Sequence, residues 1–113
     1  MESTNAVTAL SALAHEGRLQ VFRLLVQAGK DGVAAGEIAR RLSVPPNTLS
    51  TNLHLLSGAG LVASRRDGRS IIYTARFEQM GALLAFLVDD CCGGAPEVCS
   101  PLSEIAARAA CCA

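Results

Sequence analysis

A mainly helical fold with one small β-hairpin is what this 113-residue sequence predicts. Three observations carry that expectation. Half the residues are hydrophobic, Ala and Leu dominate and aromatics are few, so the core is built from helices. Between Val44 and Gly60, Leu49, Leu53 and Leu56 repeat at i, i+4, i+7, the spacing of one buried helical face. Next, Leu61–Arg66 and Ser70–Thr74 read as strands around Asp67-Gly68, a strong hairpin turn signal. A polar helix followed by a basic-tipped hairpin is the outline of a winged helix-turn-helix.

Taken from the start, residues 4–14 place Val7, Leu10, Leu13 and Ala14 on one helical stripe, with Ala6 and Ala9 beside it. His15-Glu16-Gly17-Arg18 interrupts or bends that helix. A second helix follows with Leu19, Phe22, Leu25 and Val26 inward, ending near Gly29, and Lys30-Asp31-Gly32 is a loop. Residues 34–42 form a short helix with Ile38 and Leu42 inward and Arg40 and Arg41 outward. Ser43-Val44 is the turn into the next helix, and two short helices so joined make the helix-turn-helix unit.

Pro45 and Pro46 suit the entry to that next helix, where a missing N–H costs nothing. Its outward face carries Asn47, Thr48, Ser50, Thr51, Asn52 and His54 and holds no acid. Such side chains match base edges in a major groove without repelling phosphate, so these six are the candidate base readers. An ordinary solvated surface is the competing reading of the same face. Arg65, Arg66 and Arg69 gather at the hairpin tip, where guanidiniums suit phosphate contact or insertion into a minor groove.

Residues 77–88 form a last helix with Met80, Leu83, Leu84, Leu87 and Val88 at i, i+3, i+4, i+7, i+8. Gly81, Ala82, Ala85 and Phe86 lie opposite, so it is apolar almost all round. In so short a chain that points to burial against a second subunit. The first and last helices are the candidate interface of a homodimer, which would read two half-sites of a palindromic double-stranded operator.

The formal net charge is zero, but its distribution is not even. Residues 40–76 hold Arg40, Arg41, Arg65, Arg66, Arg69 and Arg76 against Asp67, a net of +5. Residues 77–113 hold five acids against Arg108, a net of −4. A basic face with an acidic tail is the footprint of a small DNA-binding module. With no apolar run of spanning length, no membrane partner is expected. The opening Met-Glu-Ser-Thr-Asn lacks the basic flank and apolar stretch of a signal peptide, so the expected location is cytoplasmic.

All five cysteines, Cys91, Cys92, Cys99, Cys111 and Cys112, lie after residue 90. The expected organisation is therefore a DNA-binding and dimerisation domain over residues 1–90 and a cysteine-rich sensing tail over 91–113. Structural disulfides are not expected in a reducing compartment, and clustered thiols point to metal or redox chemistry. Gly93-Gly94 and Pro96 let the chain fold back so that Cys99 approaches Cys91 and Cys92. Three thiolates suit soft ions. As(III) and Sb(III) are satisfied by three because a lone pair fills the fourth direction, whereas Zn(II) wants four ligands. A fourth ligand from Cys111, Cys112 or Asp89 would admit Zn, Cd or Pb. A redox pair and plain buried thiols remain as alternatives.

With these residues in view, the chain resembles the ArsR/SmtB family of winged-helix metalloregulatory repressors. The matching residues run from the Glu37–Leu42 helix through Thr48–Leu56, Gly58-Ala59-Gly60-Leu61-Val62, Arg65-Arg66-Asp67-Gly68-Arg69 and Tyr73, and the likeness covers residues 4–90. It implies a homodimeric repressor that binds its operator when metal-free and releases it on binding an inducer. Many arsenic-responsive members place Cys-x-Cys on the first helix of the helix-turn-helix, but here that helix reads Gly36-Glu37-Ile38-Ala39-Arg40-Arg41-Leu42. Zinc-type members use Asp and His along the last helix, and Met80–Val88 offers no His. Cys91-Cys92…Cys99 is similar to the variant with arsenic-binding cysteines after the last helix, with As(III) or Sb(III) as inducer. The competing function is a sensor of another soft metal or of thiol oxidation. No enzyme is expected and no catalytic cofactor. A thiol arsenate reductase would want Cys-x5-Arg, and Glu97, Val98 and Ile105 stand six past Cys91, Cys92 and Cys99.

Overall fold

The computed structural model describes residues 2–88. Helix α1 runs Ser3–Leu13 and α2 Glu16–Ala28, followed by a single 3-10 turn at Gly29–Asp31. Strand β1 is Val33–Ala34, and α3, Ala35–Leu42, leads into α4, Pro46–Gly58. Strands β2, Val62–Asp67, and β3, Ser70–Ala75, precede α5, Phe77–Val88. The expected mainly helical fold with a hairpin is present, with one addition. The sheet has three antiparallel strands in the order β1-β3-β2, because Val33 and Ala34 pair with Tyr73 and Ile72.

That extra strand depends on Gly32. Its φ is +72, and a Cβ there would stand 2.5 Å from the Tyr73 carbonyl oxygen and 2.6 Å from Thr74 Cγ2. Only a residue without a side chain lets the chain pass so close to β3. A two-residue strand carries no periodicity, which is why the sequence reads it as the edge of a loop and a helix.

One core joins the elements. Val21, Phe22 and Leu25 of α2 meet Ile38 of α3 and Leu49, Leu53 and Leu56 of α4, with Leu61, Val62, Ala75 and Leu83 closing it. Two sequence expectations shift here. Leu19, placed inward by periodicity, is 43% exposed, and Val21 is buried in its stead. In α1 the buried residues are Ala6, Ala9 and Ala12, so Val7 and Leu10 face outward. Small residues let α1 lie close on α2 and α4. Val7 and Leu10 are left exposed, while Leu13 packs on the edge of the core. Helix α5 behaves alike. Leu83 is buried, Met80 and Phe86 pack on the core, and Leu87 is exposed. Phe86 thus lies on the core side, not opposite it.

His15 marks the break between α1 and α2. Its Nδ1 accepts from the backbone N–H groups of Gly17, at 3.1 Å, and Arg18, at 3.4 Å, capping α2.

Candidate nucleic-acid interface

The two helices of the helix-turn-helix end in the same way. Val44 N–H donates to the Ala39 carbonyl and Ser43 N–H to that of Arg40; Leu61 N–H donates to Leu56 and Gly60 N–H to Ser57. Both are Schellman closures, which need a left-handed residue after the last turn. Gly60 supplies it at φ +78 without strain, whereas Ser43 supplies it at φ +54 against the clash of its Cβ.

On α3, Glu37 receives hydrogen bonds from Arg40 and Arg41, the latter at 2.9 Å. These two guanidiniums, Arg40 first, lower the Glu37 carboxyl from 4.5 to about 2. The pair of arginines therefore presents less net charge than the sequence tally suggests.

Helix α4 starts at Pro46, with Pro45 before it and no side chain capping its first turn. The N–H groups of Asn47 and Thr48 are left for an outside acceptor, an arrangement that suits phosphate. Asn47, Thr48, Ser50, Thr51 and His54 are exposed, as expected of readers. Thr51 Oγ1 donates to the Asn47 carbonyl at 3.2 Å, which fixes its rotamer while its lone pairs stay available.

Asn52 is the correction. It is 4% exposed, the buried polar side chain of the core, not part of the outward face. At i+3 from Leu49 it falls on the inner edge of α4. There its Nδ2 lies against Gly17, where an added Cβ would stand 3.2 Å from both Nδ2 and His15 Cε1. Asn52 thus packs α4 against the start of α2.

The wing is the β2–β3 hairpin, paired from Val62↔Ala75 to Asp67↔Ser70. Gly68 and Arg69 make its tip, Gly68 with φ +62 and Arg69 without a positive φ, the pattern of a type II′ turn. Past Val62 every residue of β2 is exposed. The three arginines expected together at the tip do not act alike. Arg65 points back across β3, where Nη2 donates to the Asp31 carbonyl at 2.8 Å and Nη1 to that of Lys30 at 3.5 Å. Among the described residues, Arg66 and Arg69 make no side-chain hydrogen bond or ion pair. Farther down, Arg76 pairs with Glu78 at 3.2 Å. The Glu78 carboxyl lies below its ordinary value, through its own backbone N–H and then Arg76.

Nothing in the sequence announces the role of Arg65, because its acceptors are main-chain carbonyls 34 and 35 residues away. Cys91, Cys92 and Cys99, with Cys111 and Cys112, lie outside the described residues. Within residues 2–88 no group of three or more His, Cys, Asp or Glu could hold a metal ion. Among the described residues, no helix is long and apolar enough to cross a membrane.

Residues 13–65 match the helix-turn-helix domain family. The chain is 32% identical to the transcriptional activator HlyU of Vibrio cholerae, over 75% of this chain and 76% of that protein. The solved structure of HlyU aligns with a TM-score of 0.62, over 77% of this chain and 97% of the other. A structure of reduced HlyU aligns at 0.60, over 77% and 92%. The homodimeric winged helix-turn-helix DNA-binding domain of Mb0332 from Mycobacterium bovis, a possible ArsR-family regulator, is 32% identical with a TM-score of 0.62, covering 77% and 81%. A putative arsenical resistance operon repressor, ArsR of Halobacterium salinarum, is 40% identical over 56% of this chain and 48% of that one.

Proposed function

The chain belongs to the ArsR-like winged helix-turn-helix transcriptional regulators, and from that premise we propose that it is a homodimeric repressor released from a palindromic operator by As(III). The observation that carries the DNA-reading half is the acid-free face of α4, Asn47, Thr48, Ser50, Thr51 and His54, beside a wing whose Arg66 and Arg69 have no partner among the described residues. The helix would read base edges, the wing would meet phosphate, and the uncapped start of α4 would take one more phosphate.

Dimerisation is supported by Val7, Leu10 and Leu87, exposed apolar residues on α1 and α5, and by the homodimeric state of the Mb0332 domain. A two-fold axis through those helices sets the spacing of the two reading helices.

The sensing half rests on the donor set and on the likeness to the Halobacterium repressor. The thiols of Cys91, Cys92 and Cys99 would replace the three hydroxyls of arsenious acid, each S–H proton leaving with a hydroxyl as one water. They begin three residues past the end of α5, so binding there would act on the dimer helix first. Thiol oxidation at the same cysteines is the second reading, favoured by the likeness to HlyU, a protein solved in a reduced form.

Operator-DNA fluorescence anisotropy with arsenite, zinc, cadmium or peroxide added in turn decides between them. Arsenite at micromolar concentration should release the wild-type protein, and Cys99→Ser should bind DNA normally yet stay bound. Release by peroxide alone would transfer the assignment to the redox reading. Release of Cys99→Ser at the wild-type arsenite concentration would refute the three-thiolate site.

A further inference from the structure

Between Asp31 and Asp67 the sequence holds a single acid, Glu37, which stands beside Arg40 and Arg41 on α3. Arg40 closes on both carboxylate oxygens, its Nε donating to Oε2 at 2.9 Å and its Nη2 to Oε1. Arg41 Nε donates to Oε1 at 2.9 Å. We propose that Glu37 is a specificity-determining residue, an inference that rests on the DNA-binding reading above. By engaging both arginines it withholds them from phosphate and so limits binding to DNA of the wrong sequence.

The place of α3 makes its charge matter. In a helix-turn-helix the second helix enters the major groove and the first crosses the phosphate backbone. Arg40 and Arg41 stand in the last turn of α3, next to the turn that leads into α4. Their side chains are 72% and 51% exposed against 33% for Glu37, so the guanidiniums are open to a phosphate once released.

An exposed ion pair is weak by itself, but the effect does not depend on its strength. If a phosphate draws one arginine away, the carboxylate is left facing DNA with one partner fewer. Either way these three residues present a net of +1 rather than +2. Arg40 first, then Arg41, hold the carboxyl at about 2, so it stays ionised at neutral pH.

Specificity follows because the two modes of binding use cations differently. On an operator, base contacts from α4 fix where each phosphate falls. Without base contacts the protein settles wherever most cations reach phosphate, and binding is almost wholly electrostatic. Long arginines without a carboxylate partner favour the second mode.

The test compares wild type, Glu37→Gln and Glu37→Asp by anisotropy at several salt concentrations. Two probes are used, a short duplex of random sequence and a duplex that the wild-type protein enriches from a random pool. Glu37→Gln frees at least one arginine per subunit, two in a dimer. Its slope on the random duplex should steepen by about 1.8, and its affinity there should rise about tenfold or more at about 100 mM salt. On the enriched duplex the gain should be smaller, so the ratio of the two affinities should fall about threefold or more. Glu37→Asp keeps the charge and should keep the wild-type slope. Adding Arg40→Ala and Arg41→Ala to Glu37→Gln should return the slope to the wild-type value or below it. Partial unfolding would lower affinity for both probes, the opposite sign to the expected change. The proposal is overturned if Glu37→Gln leaves the random-duplex slope unchanged, or if Glu37→Asp and Glu37→Gln act alike. It is equally overturned if the gain survives loss of both arginines, or if both probes gain by the same factor. Failure of the wild type to bind either duplex would overturn the DNA-binding reading and this proposal with it.

Discussion

Replacing the wing arginines one at a time separates a residue that meets DNA from one that holds the wing. Among the described residues Arg66 and Arg69 make no side-chain hydrogen bond or ion pair, so each guanidinium is available to a phosphate. Arg65 is held by the Lys30 and Asp31 carbonyls, the nearer at 2.8 Å. Each phosphate contact contributes about 0.9 to the slope of log affinity against log salt. In a dimer, Arg66→Ala or Arg69→Ala removes two contacts, so the slope should fall by about 1.8. Between 50 and 200 mM salt that amounts to roughly a 12-fold smaller loss of affinity than the wild type suffers. Arg65→Ala should weaken binding with much less change of slope. It should also cost about 1 kcal/mol of stability through the lost carbonyl hydrogen bonds and speed amide exchange in the 29–34 segment. Anisotropy at several salt concentrations measures the slopes of the three variants, a denaturant melt the stability, and hydrogen exchange the 29–34 segment. If Arg65→Ala lowers the slope as much as Arg66→Ala does, Arg65 leaves its carbonyls for the phosphate, and the division of labour drawn here is wrong.

Other substitutions test the supporting structure. Asn52→Ala should cost about 1–2 kcal/mol of stability, a Tm drop of roughly 5–10 °C by calorimetry, with base preference unchanged; a changed preference at full stability would return Asn52 to the reading face. Ser43→Gly relieves the strain at φ +54 and should raise stability by about 0.5–1 kcal/mol in denaturant melts. Gly32→Ala drives a Cβ to within 2.5 Å of the Tyr73 carbonyl oxygen and should destabilise by more than about 2 kcal/mol, seen as early unfolding of β1 in amide exchange. Glu37 should titrate by NMR near its lowered value of about 2. Because its folded value lies below the unfolded one, the stability it contributes is complete above pH 4.5 and is lost as pH falls toward 2, and Glu37→Gln should remove that acid dependence.

What the sequence discloses about this molecule is what repeats or what punctuates. Leu49, Leu53 and Leu56 repeat at helical spacing, and all three are buried. Gly60 and Gly68 punctuate, and each holds the positive φ that ends a helix or turns a hairpin. Periodicity fails where packing depends on a neighbour rather than on the residue's own kind. Asn52 is polar and flanked by polar residues, yet the bare backbone of Gly17 opposite gives it an inner place. Leu19 and Val21 exchange roles because α2 is rotated by the contacts it makes, and hydrophobicity alone does not choose between them. Strand β1 exists only because β3 offers a free edge and Gly32 allows the approach. Arg65 looks like its neighbours in sequence, and main-chain carbonyls, which every residue carries, leave no mark to show where it will bind. The thiols of the proposed sensor were legible as a cluster, and they lie outside the described residues.

The most direct test of the central claim is selection of double-stranded DNA from a random pool by the wild-type protein at about 150 mM salt, in parallel with Ser50→Ala. At that ionic strength purely non-specific attraction is weakened by counterion release, so enrichment reports base reading. The expected product is an inverted repeat with half-sites about one helical turn, roughly 10–10.5 bp, apart. The bases preferred within each half-site should shift when Ser50 is replaced. A pool that emerges without consensus, or one whose consensus is a single unrepeated site indifferent to Ser50, would contradict a two-fold symmetric reader built on α4.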